Sequence, residues 1–145
     1  MIAVDTNLFV GAIQTYDSSL RATARRAFAS LHRRGEALCC FPQNLIEFWN
    51  VATRPANSNG LGLSPEQADN YLDRFQRLAP ALPETPDLFP AWRQIVFKHR
   101  VHGIHVHDAR IVAAMTINGV NLLLTFDKND FKRYQAITVL DPVNL

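Results

Sequence analysis

Thirteen of the 145 residues are acidic, and a few of them stand where a solvated charge is not expected. Asp5 directly follows the apolar run Ile2–Val4. Asp127 directly follows the run Leu122–Phe126, with Asp130 three residues on. Asp108 opens a segment that continues Ala109, Arg110, Ile111, Val112, Ala113 and Ala114. Glu47 lies inside Leu45–Trp49, between Ile46 and Phe48. Two carboxylates about 5 Å apart repel by about 3 kcal/mol at an effective dielectric of about 20. Three or four brought together must therefore take up protons or hold a cation. A donor set made only of oxygens suits Mg²⁺ or Mn²⁺, and a metal so held orients a phosphodiester, activates water and stabilises a leaving oxygen. Each acid also has a local role open to it: an Asx-turn for Asp5, an N-cap for Asp108, a turn for Asp127, a solvent-facing helix edge for Glu47.

Whether these acids meet depends on the elements that carry them. Ile2–Val4 reads as a buried strand, broken at Asp5, Thr6 and Asn7. Asp17 and Ser18 are caps for a helix with Leu20, Ala24, Ala27, Phe28 and Leu31 on one face, stopped at Gly35. Ala37–Phe41 suits a second strand, and Pro42 opens a helix that buries Leu45, Phe48, Trp49 and Ala52. A loop rich in Asn and Gly runs from Arg54 to Leu63. Ser64, Pro65 and Gln67 then start a helix in the manner of a capping box, with Tyr71, Leu72, Phe75 and Leu78 as its apolar stripe. Pro80, Pro83 and Pro86 frame an extended piece. Leu88, Trp92, Ile95 and His99 mark another helix, and a further one runs from about Asp108 to Asn118, closed by Gly119. Asn121–Phe126 and Ile137–Leu140 read as strands. Continuously apolar strands alternating with helices specify a mostly parallel sheet of about four to five strands, covered by helices on both faces. Sites in such sheets lie at the carboxyl ends of the strands. Asp5 and Asp127 become neighbours if their strands pair.

At 48% apolar and 19% charged, the composition is globular and excludes a disordered or fibrous chain. One domain spanning 1–145 is expected, with a core large enough to need no disulfide. Cys39 and Cys40 are adjacent in sequence, too close for a normal mutual bridge, and read as buried strand residues in a reducing, cytoplasmic setting. No apolar run approaches the roughly 20 residues of a membrane span. The net charge is +2, but the basic residues cluster: Arg21, Arg25, Arg26, Arg33 and Arg34; Lys98 and Arg100 beside the histidines; Lys128, Lys132 and Arg133. Such clusters meet phosphates or an acidic partner, or simply solvate helix faces. His102, His105 and His107 do not make a zinc site on this reading, because their alternation splits the side chains and no cysteine lies near. Phe48, Trp49, Phe75 and Trp92 fit core positions.

Four segments together resemble the PIN domain, and within it the VapC kind of toxin from type II toxin–antitoxin pairs. They are Met1–Asn7 (MIAVDTN), Ile46–Pro55 (IEFWNVATRP), His107–Met115 (HDARIVAAM) and Leu124–Phe131 (LTFDKNDF), in the family's order and over essentially the whole chain. The resemblance implies a PIN-like fold and a Mg²⁺- or Mn²⁺-dependent endoribonuclease that leaves 5′-phosphate and 3′-hydroxyl ends, with water as nucleophile. Asp5, Glu47, Asp108 and Asp127 match the family's acidic site. Asp5, Asp108 and Asp127 would hold metal, and Glu47 would complete the site directly or through water. Asp130 is the second candidate for the fourth acid. Thr6, Asn7 and Thr125 are placed to support the acids by hydrogen bonds or to shape the turns. Arg110 is a candidate phosphate contact, although helical geometry turns it from Asp108 toward a structural or partner-facing role. The implied partners are RNA, a second copy of the chain, and a cognate antitoxin laying an apolar helix in a groove. Membranes are not among them.

Two other readings compete. A phosphatase of the haloacid dehalogenase type also carries an Asp after its first strand, but it wants a second Asp two residues on, where this chain has Asn7. A catalytically silent PIN scaffold would bind RNA or protein without cleavage, yet here all four acids are present.

Overall fold

In the computed structural model, which describes residues 1–145, four strands form one all-parallel sheet. They are β1 (Ile2–Val4), β2 (Leu38–Cys39), β3 (Leu122–Leu124) and β4 (Thr138–Leu140), in the order β2-β1-β3-β4. β1 is central: Ile2 pairs with Leu38 on one side and with Leu122 on the other, and Val4 pairs with Leu124. β1 and β3 therefore end level with each other.

Seven helices cover the two faces: α1 (Thr6–Ile13), α2 (Ser18–Arg33), α3 (Pro42–Thr53), α4 (Pro65–Leu78), α5 (Leu88–Lys98), α6 (Val106–Ile117) and α7 (Lys128–Phe131). Strand residues alternate between the faces, as pleating requires. Ile2, Val4, Leu38, Cys40 and Leu124 pack with residues of α1 to α4. Ala3, Cys39, Phe41 and Leu123 pack with residues of α5, α6 and α7. The first core centres on rings: Phe9 stacks on Phe75 with centroids 4.4 Å apart, and Phe48 meets Phe75 edge-on at 5.0 Å. Each buried ring contributes about 2–3 kcal/mol, and together they lock α1, α3 and α4. No helix is long and apolar enough to cross a membrane.

Local signals account for most helix ends. Asp17 accepts from the Leu20 N–H at 2.9 Å and caps α2, and Gly35 leaves that helix at φ +70°. Ser64 and Gln67 form a reciprocal capping box at the start of α4. Three expectations are corrected. The break expected at Asp5–Asn7 is the start of a helix, α1. Asp5 caps it, and Gly11 and the β-branched Val10 and Ile13 hide it from propensity. α6 starts at Val106, so Asp108 sits inside its first turn instead of capping it. Trp49 and Trp92 are half-buried, whereas Phe48 and Phe75 are buried. Trp92 keeps its indole N–H at the surface of the core to donate to the Val106 carbonyl at 2.9 Å.

Phe48 follows Glu47 on α3 and is fully buried in the ring cluster with Phe75. Phe48→Ala is expected to lower the unfolding free energy by about 3–5 kcal/mol. The check is a lower urea midpoint with an unchanged slope.

Candidate active site

The backbone carries the β1–β3 pairing one residue past the strands, with the Asp5 N–H donating to the Leu124 carbonyl at 3.0 Å. Asp5 is thereby set against Thr125 on the neighbouring chain segment. Asp5 is only 7% exposed. Its Oδ1 accepts from the Thr6 N–H at 2.7 Å. Its Oδ2 accepts from Thr125 Oγ1 at 2.6 Å and from the Asn7 amide at 2.9 Å. The same Asn7 amide nitrogen reaches Asp127 Oδ2 at 3.1 Å, and the Asp127 N–H donates to Thr125 Oγ1 at 3.0 Å. One asparagine and one threonine thus hold the carboxylates from β1 and β3 side by side. They do so because residue 7 lies on the first turn of α1, directly above the strand end.

Glu47 enters from α3. Its Oε2 accepts from Thr6 Oγ1 at 2.9 Å and its Oε1 from Gln43 Nε2 at 2.7 Å. Asp108 enters from the first turn of α6, with Oδ2 3.3 Å from His105 Nδ1. Asp5, Glu47, Asp108 and Asp127 line one depression of about 370 Å³, together with Thr6 and Asn7 and with no lysine or arginine among its walls. Larger hollows, of about 490 and 690 Å³, lie along α5 against Trp92 and Phe89, away from these acids.

Asp130 is placed differently. It groups with His105 and Asp108, the three ligand atoms lying within 4.8 Å of one another. Asp127 instead lies beside Asp5. The three histidines do not converge: His105 turns to Asp108, while His102 and His107 are exposed. Arg110 does not face the depression. Its guanidinium donates to Gln43 Oε1 at 2.9 Å and to Glu84 Oε1 at 2.7 Å. Gln43 and Asn44, both buried, are residues that sequence reasoning missed. Gln43 stands four residues before Glu47, and that spacing was the available signal. Cys39 and Cys40 are buried thiols, pushed up to about 11 and about 12 by desolvation, and so are inert.

Burial pushes the Asp5 carboxyl from 3.8 up to about 7. The hydrogen bonds from Thr125 and the Thr6 N–H oppose that rise, and the charges of Glu47 and Asp127 add to it. Asp108 is raised as well, chiefly by desolvation, with the His105 hydrogen bond opposing and Asp130 and Glu47 adding. Carboxylates gathered in one depression with no basic side chain in its wall are a donor set that fits a hard divalent cation. Asp5, Asp108 and Asp127 would be its oxygen donors.

No protein-family model matches the chain, and no curated protein matches it in sequence. Solved structures do match over nearly its full length. VapBC2 of Rickettsia felis, bound to a DNA fragment from its promoter, aligns at a TM-score of 0.69 and 16% identity, covering 97% of this chain and 98% of that one. A toxin–antitoxin complex from Klebsiella pneumoniae aligns at 0.67 and 14%, covering 98% of each chain. FitAcB of Neisseria gonorrhoeae aligns at 0.69 and 16%, covering 100% of each. At such identities the likeness is one of fold, and it makes this α/β chain PIN-like.

The Asp5 shift predicts an unusual pH dependence for the metal-free protein. With a folded value near 7 and an ordinary value of 3.8, the folded chain keeps a proton that the unfolded chain loses between them. The stabilisation is complete below about pH 4 and is lost as the pH rises through 7, a difference on the order of 4 kcal/mol. Asp108 acts in the same direction. Asp141, held down by the Val143 N–H and by Lys128, acts oppositely: its contribution is lost only in acid, as the pH falls through its lowered value. Chelator-treated wild type should therefore melt higher at about pH 5 than at about pH 8, and Asp5→Asn should flatten that difference. Scanning calorimetry at the two pH values decides it; an unflattened difference in Asp5→Asn would place the titration elsewhere.

Proposed function

We propose that residues 1–145 form one PIN-like domain that acts as a Mg²⁺- or Mn²⁺-dependent endoribonuclease, and that it is the toxin of a toxin–antitoxin pair. The observation that carries this reading is the meeting of Asp5, Glu47, Asp108 and Asp127 in one depression at the carboxyl edge of a parallel sheet. The fold of VapBC and other toxin–antitoxin complexes supports the toxin role.

The cation, when bound, neutralises phosphate charge and makes water a stronger nucleophile at neutral pH. The chain's own residues do the rest. Asp5, Asp108 and Asp127 supply donors, and Glu47 adds one directly or through water. Thr125 and the Thr6 N–H leave Asp5 little freedom to turn. Asn7 keeps Asp5 and Asp127 close against their repulsion. Preorganisation of this kind puts the cost of assembling like charges into folding, before RNA arrives. Exposed Lys132 and Arg133, just past α7, add cationic charge for an RNA backbone. RNA is the proposed substrate, and hydrolysis leaves 5′-phosphate and 3′-hydroxyl ends. The proposed partners are a cognate antitoxin and a second copy of the chain, in the cytoplasm.

Cleavage of a mixed pool of structured RNAs should require Mg²⁺ or Mn²⁺ and stop with chelator. Asp5→Asn and Asp108→Asn should each lower the rate at least about 100-fold, the upper end of what losing even a supporting hydrogen bond costs. Cuts that survive both substitutions would refute the site. Binding of RNA without metal or cleavage would favour the silent scaffold.

A further inference from the structure

Glu47 and Asp108 sit on different helices, and a single side-chain amide bridges from the Glu47 carboxylate to the backbone beside Asp108. Gln43 is 7% exposed and lies one turn before Glu47 on α3. Its Nε2 donates to Glu47 Oε1 at 2.7 Å and to the carbonyl of His107, the residue before Asp108, at 3.0 Å. Its Oε1 accepts from the Arg110 guanidinium at 2.9 Å. The partners allow only this orientation. A guanidinium can only donate, while a carboxylate and a carbonyl can only accept, so a flipped amide would break all three bonds. Arg110 is anchored in turn by Glu84 at 2.7 Å, from the loop before α5. The hydrogen bonds between α3 and α6 all run through this amide.

Resting on the metal-site reading above, we propose that Gln43 and Arg110 are positioning residues for that site: Arg110 fixes the face of the Gln43 amide, and the amide clamps the Glu47 carboxylate to the backbone beside Asp108. Thr6 holds the other Glu47 oxygen at 2.9 Å, so the clamp leaves Glu47 one pose toward the depression. Neither residue lines the acidic depression itself. The Arg110 guanidinium is engaged by the amide and by Glu84.

Two readouts test the clamp on folded, full-length protein, with fold checked by the backbone amide spectrum. The first needs no metal. In wild type the Gln43 side-chain amide protons should exchange with solvent at least about tenfold more slowly than those of exposed glutamines, and Arg110→Met should abolish that protection. The second is Mn²⁺ affinity by calorimetry. Gln43→Met and Arg110→Met should each weaken binding by about 10–100-fold. The double variant should lose no more than Gln43→Met alone, since both remove one linked interaction. Arg110→Lys, which keeps a donor for Oε1, should recover most of the loss. A purely structural role would lower the melting temperature and leave Mn²⁺ affinity unmoved. Unchanged affinity in both single variants, or unprotected Gln43 protons in wild type, would overturn the clamp. If wild type itself bound no Mn²⁺, the nuclease reading would fall, and the exchange data would still decide the clamp.

Discussion

The parallel pairing of β1 with β3 is the constraint on which the site depends. It brings together residues 120 positions apart in sequence, ends both strands at one level, and sets Asp5 against Thr125 with a 2.6 Å hydrogen bond. The order β2-β1-β3-β4 sends the chain away from β1 toward one side and returns it on the other. The connection after β1 packs on one face and α7 after β3 packs on the opposite face. A crevice opens where two such connections diverge, and the acids line it. Were β3 to pair elsewhere, Asp127 would lose Asp5 as a neighbour and Asn7 would have no second carboxylate to hold.

Assembling these charges is unfavourable, and the structure answers in two ways. Directed donors from Thr6, Asn7, Thr125 and Gln43 satisfy the carboxylate oxygens. Protonation answers the rest: burial, with smaller additions from the charges of Glu47 and Asp127, holds the Asp5 carboxyl up to about 7. Neutral donors are suited to this task. A lysine or arginine at the same place would neutralise the acids permanently and compete with a cation. Threonine and asparagine fix the geometry and leave the charge available. The one nearby guanidinium, Arg110, is kept outside the wall and works through an amide.

Rigidity around the crevice comes from the core behind it. Phe9, Phe48 and Phe75 join α1, α3 and α4 into one packed body, so Thr6, Asn7 and Glu47 move together. α6 carries Asp108 and buries Ala109 and Ile111–Met115 on the opposite face of the sheet. The two bodies meet across the sheet edge, which is where a polar link such as Gln43 has most to contribute.

Much of the fold was legible in the sequence because its signals are local. Apolar runs of strand length, the Ser64–Gln67 capping box, the Asp17 cap and the Gly35 stop each act within a few residues. The parallel α/β class follows from their alternation, and the four acids stood out because each borders or interrupts an apolar segment. α1 was not legible, since Gly11 and β-branched residues give it weak intrinsic propensity. Its stability comes from packing Leu8 and Phe9 into the core and from a cap made by a site acid. Asp127 beside Asp5 was legible on the condition that their strands pair, which β1 and β3 do, whereas the turn of Asp130 toward Asp108 and His105 was not, because the short helix α7 decides it. Gln43 and Arg110 are ordinary polar residues in sequence, 67 positions apart, and only the approach of α3 to α6 gives the amide three partners at once. Local chemistry is written along the chain, whereas the distance between two carboxylates is set by which strands pair and which helices touch.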